Sequence, residues 1–233
     1  MAGYARPVSA DAPAQPRSVK GEQTRELILS TALRLFRENG YDATTMRVIA
    51  REASVSVGNA YYYFASKEHL IQAFYDSLVA QHRQVARPRL DGVRDLATRL
   101  RITVGTHIEL TSPYHAFAGG FFKTAADPNS PLSPFSAQST PARDEEVAFF
   151  AEVLDGSDAK IPQELRAELP ELLWLYHMGV IMYWVHDTSD DVRRTFELID
   201  LSAPLVVKLI SLSRLPGTKA VLQDVLSLLH SLK

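Results

Sequence analysis

From Thr24 onward, apolar residues recur along this chain at intervals of three and four, and no stretch alternates with a period of two. Such spacing lines one face of an α-helix. Ile28, Ala32, Leu35 and Phe36 open the series, and Asn39-Gly40 supplies its stop, because glycine readily takes the conformation that ends a helix. Thr44 or Thr45 is placed to cap a second helix whose inward positions are Met46, Ile49, Ala50 and Ala53. Ser54-Val55-Ser56 breaks the pattern. Ser56 caps a third helix running to about Phe64, and Ser66 caps a fourth with Leu70, Ile71, Phe74 and Leu78 inside. Two short helices joined by a three-residue turn and packed on a longer first helix make a helix-turn-helix.

The helical pattern continues with interruptions. Arg87-Pro88 is expected to break one helix, and residues 91–110 form another before Ser112-Pro113. Residues 127–142 hold four prolines and form a long loop, and residues 156–162 are a further break. Two long, mostly apolar helices follow at about 164–187 and 190–213, and Pro216-Gly217 separates a last amphipathic segment containing Val221, Leu222, Val225, Leu228 and Leu229. The expected fold is all-α: an arm over residues 1–20, a helix-turn-helix domain over 21–67, and a helical domain over 68–233 with 68–80 as connector. The arm is rich in Ala, Pro and Ser, lacks an apolar period, and reads as disordered.

Composition narrows the classes. At 233 residues, 46% hydrophobic and 22% charged, the chain suits a globular protein. With no cysteine, disulfides and thiolate metal sites are excluded. Leu172–Val185 is the longest apolar run and, with His177 inside it, is short for a membrane span, so a cytoplasmic protein without membrane association is expected. The net charge of −2 gives no hint of nucleic acid.

The hint lies in VSVGNAYYYFASKEHL, Val55 to Leu70. Three adjacent tyrosines cannot all face one core, since neighbouring helix positions point about 100° apart. Val55, Ala60, Tyr61 and Phe64 read as the inward stripe, leaving Val57, Asn59, Tyr62 and Tyr63 outward, with Gly58 permitting close approach. In a helix-turn-helix the second helix enters the major groove while flanking groups hold phosphates. Lys67 opposes the dipole at the start of the fourth helix, which makes sense if an anion comes there; balance by Glu68 is the plainer account.

The stretch Thr44 to Leu70, TTMRVIAREASVSVGNAYYYFASKEHL, resembles the DNA-binding signature of the tetracycline-repressor (TetR) family. The likeness lies in the Ile-Ala pair, the Val-Ser turn, the glycine, the aromatic triplet and the Ser-Lys that follows, and it covers Thr24 to Leu78. Ser54 departs from the glycine usual in the turn. The resemblance implies a homodimer on a palindromic double-stranded operator, repression by default, and no catalysis. It also implies that Thr45 and Arg47 face DNA. The expected base-side residues are Thr45, Arg47, Val57, Asn59 and Tyr62, with Gly58 beside them, and the expected phosphate contacts are Ser56, Tyr61, Tyr63 and Lys67. Arg47 could instead pair with Glu52, and core packing alone could explain Tyr61. Residues 21–80 carry six basic against seven acidic side chains, so directed contacts must replace diffuse attraction, with Arg6, Arg17 and Lys20 of the arm as a possible supplement.

By the same resemblance the second domain binds an effector. Its aromatic and soft residues suggest a mainly apolar ligand, aromatic or lipid-like, touched by Phe117, Phe121, Phe122, Trp174, Met178 and Met182, with polar anchors among His115, His177 and Tyr183. Gly119-Gly120 would leave room inside a helical stretch, while an ordinary core accounts for the Trp174, Met178 and Met182 stripe equally well. Dimerisation is expected on the two long helices, with Asp190-Asp191 capping the second and Ala203, Val206 and Ile210 as its stripe. No cofactor and no metal are expected. The competing readings are a protein-interaction adaptor and a metal sensor in which His107, His115, His177 and His186 converge.

Overall fold

The computed structural model describes residues 18–213 and Asp224, and the described residues form helices and turns without a strand. Residues 1–17 of the arm and all of the last amphipathic segment except Asp224 lie outside them. Two compact units are present, divided between Phe74 and Tyr75.

In the first unit α1 spans Val19–Asn39 and buries Ile28, Ala32, Leu35 and Phe36. It begins earlier than the apolar period suggests, because Ser18 Oγ accepts the Gly21 N–H and starts the helix in a polar stretch. Gly40 ends it at φ 84°, its N–H donating to the Phe36 carbonyl. α2, Met46–Glu52, is capped by Thr45, while Thr44 turns inward and donates to the Gly40 carbonyl at 2.8 Å. α3, Val57–Tyr63, is capped by Ser56, whose Oγ accepts from Asn59 N–H. Ser54 lies between them at φ 55°, in the left-handed region that favours glycine. The departure from the TetR turn pattern is therefore a real strain.

α4 runs unbroken from Lys67 to Leu90. Two expectations change here. Pro88 does not interrupt the helix, because in its last turn it forfeits a single ladder hydrogen bond. The unit boundary falls inside α4, seven residues after the position read from sequence, because a continuous helix leaves no linker to find.

The second unit contains the rest of α4 with α5 (Leu96–Thr111), a 3-10 turn at Ser112–Tyr114, α6 (His115–Ala125), α7 (Thr140–Asp155), the single turn α8 (Gln163–Arg166), α9 (Leu169–Val185) and α10 (Arg193–Leu212). α5 packs on α7, α9 and α10, and its inward residues Leu100, Val104 and Ile108 meet Phe149, Phe150 and Val153 of α7 in one apolar core with Leu173 and Trp174 of α9. The proline-rich loop repeats one device. Ser130, Ser133, Ser136 and Ser139 each donate their N–H to the carbonyl three residues back, giving successive turns up to α7.

Two buried charges hold helix ends together. Arg99 donates to the carbonyls of Leu90, the last residue of α4, of Val93 just beyond it, and of Glu152 and Val153 in the last turn of α7, at 2.7–3.3 Å. A cation is favoured at such helix C-termini. Gly156 makes room for it, since a Cβ there would lie 2.2 Å from the guanidinium. Asp187 organises the α9–α10 connection. Its carboxylate accepts from the backbone and hydroxyl of both Ser189 and Thr195. Asp191 and Val192 are thereby held at φ 52° and 51°. Burial raises the Asp187 pKa, but these four bonds outweigh it and hold it at about 2.

Two outcomes are expected. Ser54→Gly relieves the left-handed strain and, after glycine's entropic cost, raises stability by about 0.5–1 kcal/mol in urea unfolding. Asp187 has a depressed folded pKa, so its stabilisation is complete above the ordinary value of 3.8 and is lost as pH falls through about 2. Asp187→Ala therefore costs about 2–4 kcal/mol at neutral pH, and unfolding at stepped pH shows the gap closing toward pH 2.

Candidate nucleic-acid interface and buried polar cluster

α3 is only seven residues long, so its outward face is short and every residue on it matters. Ala60, Tyr63 and Phe64 are the buried set, and Tyr61 and Tyr62 stand 50% and 59% exposed while Tyr63 is 8% exposed. This corrects the expected partition, in which Tyr61 faced in and Tyr63 faced out. Ala60 and Phe64 define the inward axis, and Tyr61 and Tyr63 flank it on opposite sides, so spacing alone left the choice open. Tyr63 rests edge-on against Tyr62, with ring centroids 5.1 Å apart.

Val57, Gly58, Tyr61 and Tyr62 of α3 are exposed, as are the caps Thr45 and Ser56 and Arg47 on α2; Asn59 is half-buried. Glu52, the alternative partner considered for Arg47, is engaged by Arg51 at 3.2 Å and Arg34 at 3.7 Å. Arg47 makes no ion pair among the described residues, leaving its fork of donors available. Thr45, Tyr61, Ser66 and Lys67 line an open cleft of about 310 Å³ beside these residues. Lys67 does not reach freely outward. Its Nζ donates to the Tyr41 carbonyl at 2.8 Å and lies 4.2 Å from the Tyr41 ring centroid. One of its three protons is thus used and the amine is fixed at the cleft. The Tyr41 hydroxyl donates to Glu68, and burial followed by the Glu68 charge pushes the phenol well above its ordinary range.

The expected effector residues do not gather in one place. Trp174 and His177 are buried, Met178 is partly buried, and Met182 and Tyr183 are exposed, because the stripe winds from core to surface along α9. His115 Nε2 faces the Trp184 carbonyl at 2.8 Å, and its ring packs on Trp184. Phe122 meets His186, and Phe121 meets Tyr75. Phe117 is buried against Tyr114, and Gly119 and Gly120 are exposed rather than lining a void. The stripe Ala203 and Ile210 also faces the core, which corrects the expected dimer face. The outward apolar row of α10 is Leu201, Leu205, Leu209 and Leu212.

Sequence reading missed a polar cluster inside the second unit. His82 of α4, His107 of α5, Glu146 of α7 and His177 of α9 are all buried. His82 Nε2 lies 2.8 Å from the Thr103 carbonyl, which can only accept, so that nitrogen carries a proton. Its Nδ1 faces the two Glu146 oxygens at 3.0 and 3.3 Å. The His107 and His177 rings meet edge-on at 4.4 Å, and His107 Nδ1 and both nitrogens of His177 lack a partner among the described residues. Burial, with the neighbouring histidines adding to it, lowers the His107 pKa far below its ordinary range and that of His177 to about 3. Of the four histidines that the competing metal-sensor reading would bring together, His107 and His177 meet here. A signal was present: His82 shares the inward stripe of Leu78, Val79 and Ala86, and Glu146 stands in register with Phe149, Phe150 and Val153.

Comparison with known proteins follows these two units. Residues 28–74 match the bacterial regulatory proteins of the tetR family, and residues 99–232 match the tetracyclin repressor-like C-terminal domain. The HTH-type transcriptional regulator UidR of Escherichia coli is 40% identical over 70 residues, 30% of this chain and 35% of UidR. HbdR of Aromatoleum sp., another such regulator, is 35% identical over 79 residues, 34% of each chain. The matched stretch thus spans about a third of these relatives' lengths. Among solved structures, a TetR regulator from Nitrosomonas europaea superposes with a TM-score of 0.60 at 15% identity, covering 78% of this chain and 96% of that one. The fatty acid degradation regulator FadR from Bacillus halodurans gives 0.60 at 20% identity over 79% and 94%. FadR from Bacillus subtilis in complex with stearoyl-CoA gives 0.56 at 17% over 75% and 96%. At such identities the likeness is one of fold. Since the family matches take in both units, and the C-terminal one alone more than half of the residues, the chain belongs to the TetR family of bacterial regulators, which are not enzymes.

Proposed function

We propose that the protein is a homodimeric, ligand-responsive repressor that grips a palindromic operator through α3 and the start of α2. The observation that carries this is the exposed guanidinium of Arg47 at the start of α2, without an ion pair among the described residues while the helix's other arginine, Arg51, is tied to an acid, together with the exposed Tyr61 and Tyr62 of α3. Such a fork suits the paired acceptors on the major-groove edge of guanine. Thr45, Val57, Gly58, Asn59 and Tyr62 complete the base-side face, and Ser56, Tyr61 and Lys67 hold phosphates. Tyr63, being buried, acts by positioning Tyr62. A repressor of this kind works in the cytoplasm, and no described helix is long and apolar enough to cross a membrane.

Dimerisation is assigned to α9 and α10. Leu201, Leu205, Leu209 and Leu212 recur every three or four residues at 50–77% exposure, and Leu175, Met182 and Tyr183 form an outward row on α9. Exposed apolar rows of this kind mark an interface. Met182 and Tyr183 therefore belong to the dimer rather than to an effector cavity. For the effector, an apolar, lipid-like molecule is favoured by the aromatic groups of α6 and the far end of α9, and by the acyl-CoA ligand of a fold neighbour.

Arg47→Ala should cost about 1–3 kcal/mol on operator DNA and relax one base position, while Lys67→Ala weakens all sequences alike and lowers the salt slope by about one. Fluorescence anisotropy on cognate and random duplexes reads both effects, and equal losses on the two DNAs for Arg47→Ala would refute its role. Leu205→Glu with Leu209→Glu should yield monomers in analytical ultracentrifugation and reduce operator binding at least tenfold, since a half-site alone is held weakly.

A further inference from the structure

The buried cluster of the second unit has the composition of a metal site. We propose that His82, His107 and Glu146 bind a divalent first-row transition-metal ion, with His177 beside them as the fourth donor. One ligand atom from each of the three lies within 4.8 Å of the others. A tetrahedral ion with bonds near 2.0–2.1 Å needs donors about 3.4 Å apart, so binding draws these atoms together by up to about 1.4 Å.

The chemistry of each donor fits. His82 already gives its Nε2 proton to the Thr103 carbonyl, the arrangement that orients a metal-bound imidazole and leaves Nδ1 to the ion. Nδ1 and the Glu146 carboxylate face each other at 3.0 Å, two acceptors that need a cation between them. His107 and His177 bring nitrogens that have no protein partner although both residues are buried. Buried polar groups are nearly always satisfied, so these nitrogens point to a ligand. A set of imidazoles with one carboxylate and no thiolate selects ions of the Fe²⁺ to Zn²⁺ range over Ca²⁺, Mg²⁺ or Cu⁺. The donors come from α4, α5, α7 and α9, so the ion would draw four helices together. The inference is independent of how the first unit meets DNA.

The test is titration of the chelator-treated full-length protein with Co²⁺, followed by its visible d–d absorption, and with Zn²⁺ in competition. The expected result is one saturable site per chain with tetrahedral-type Co²⁺ bands displaced by Zn²⁺, and a Tm raised by several degrees in Zn²⁺. Glu146→Gln and His107→Gln, checked by circular dichroism for native helix content, should bind at least about tenfold more weakly. His115→Gln and His186→Gln, outside the cluster, should bind as the unaltered protein does. Absence of a saturable site in the folded protein would overturn the proposal, and so would undiminished binding by folded Glu146→Gln and His107→Gln.

Discussion

The second unit is built around an interaction that packing alone does not favour: His82 held between the Thr103 carbonyl and the Glu146 carboxylate in a place closed to water. Removing such groups from water costs several kcal/mol, and a hydrophobic pair of like volume would often serve stability as well or better. What the pair supplies is uniqueness. Only one register of α4 against α5 and α7 lets both nitrogens of one ring meet their partners. Around this polar centre Phe149, Phe150, Leu100 and Val104 supply the apolar burial that makes the unit stable. His107 and His177 fall at the same centre with nitrogens left over, so the core is polar beyond what holding the register requires.

A second constraint shapes the first unit. Its basic residues are nearly balanced by acids, and the structure shows where the balance is spent: Arg34 on Glu38 and Glu52, and Arg51 on Glu52. Arg25 lies 5.0 Å from the Phe64 ring centroid. Exposed pairs of this sort contribute little to stability, yet they remove charge from the general field that would draw a duplex from afar. On the proposed reading, recognition on such a surface comes from short-range, directional donors and from doubling the site by symmetry, and Arg47, the tyrosine hydroxyls and the helix caps are offered as groups of that kind.

How much of this was legible in the sequence follows from the range of the forces involved. The stops and caps at Gly40, Thr45 and Ser56 depend on bonds across three or four residues, and local pattern carries them. The all-helical architecture was readable for the same reason. The Tyr61 and Tyr63 exchange was not, because seven residues give less than two turns in which to fix a phase. On α10, Ala203 and Ile210 face in while Leu201, Leu205 and Leu209 face out, and with both rows apolar no pattern tells core from interface. The same ambiguity on α9 puts buried Trp174 and exposed Met182 on one apolar stripe. The His82–Glu146 pair joins residues 64 positions apart, and only the polar intruders in two apolar stripes betray it.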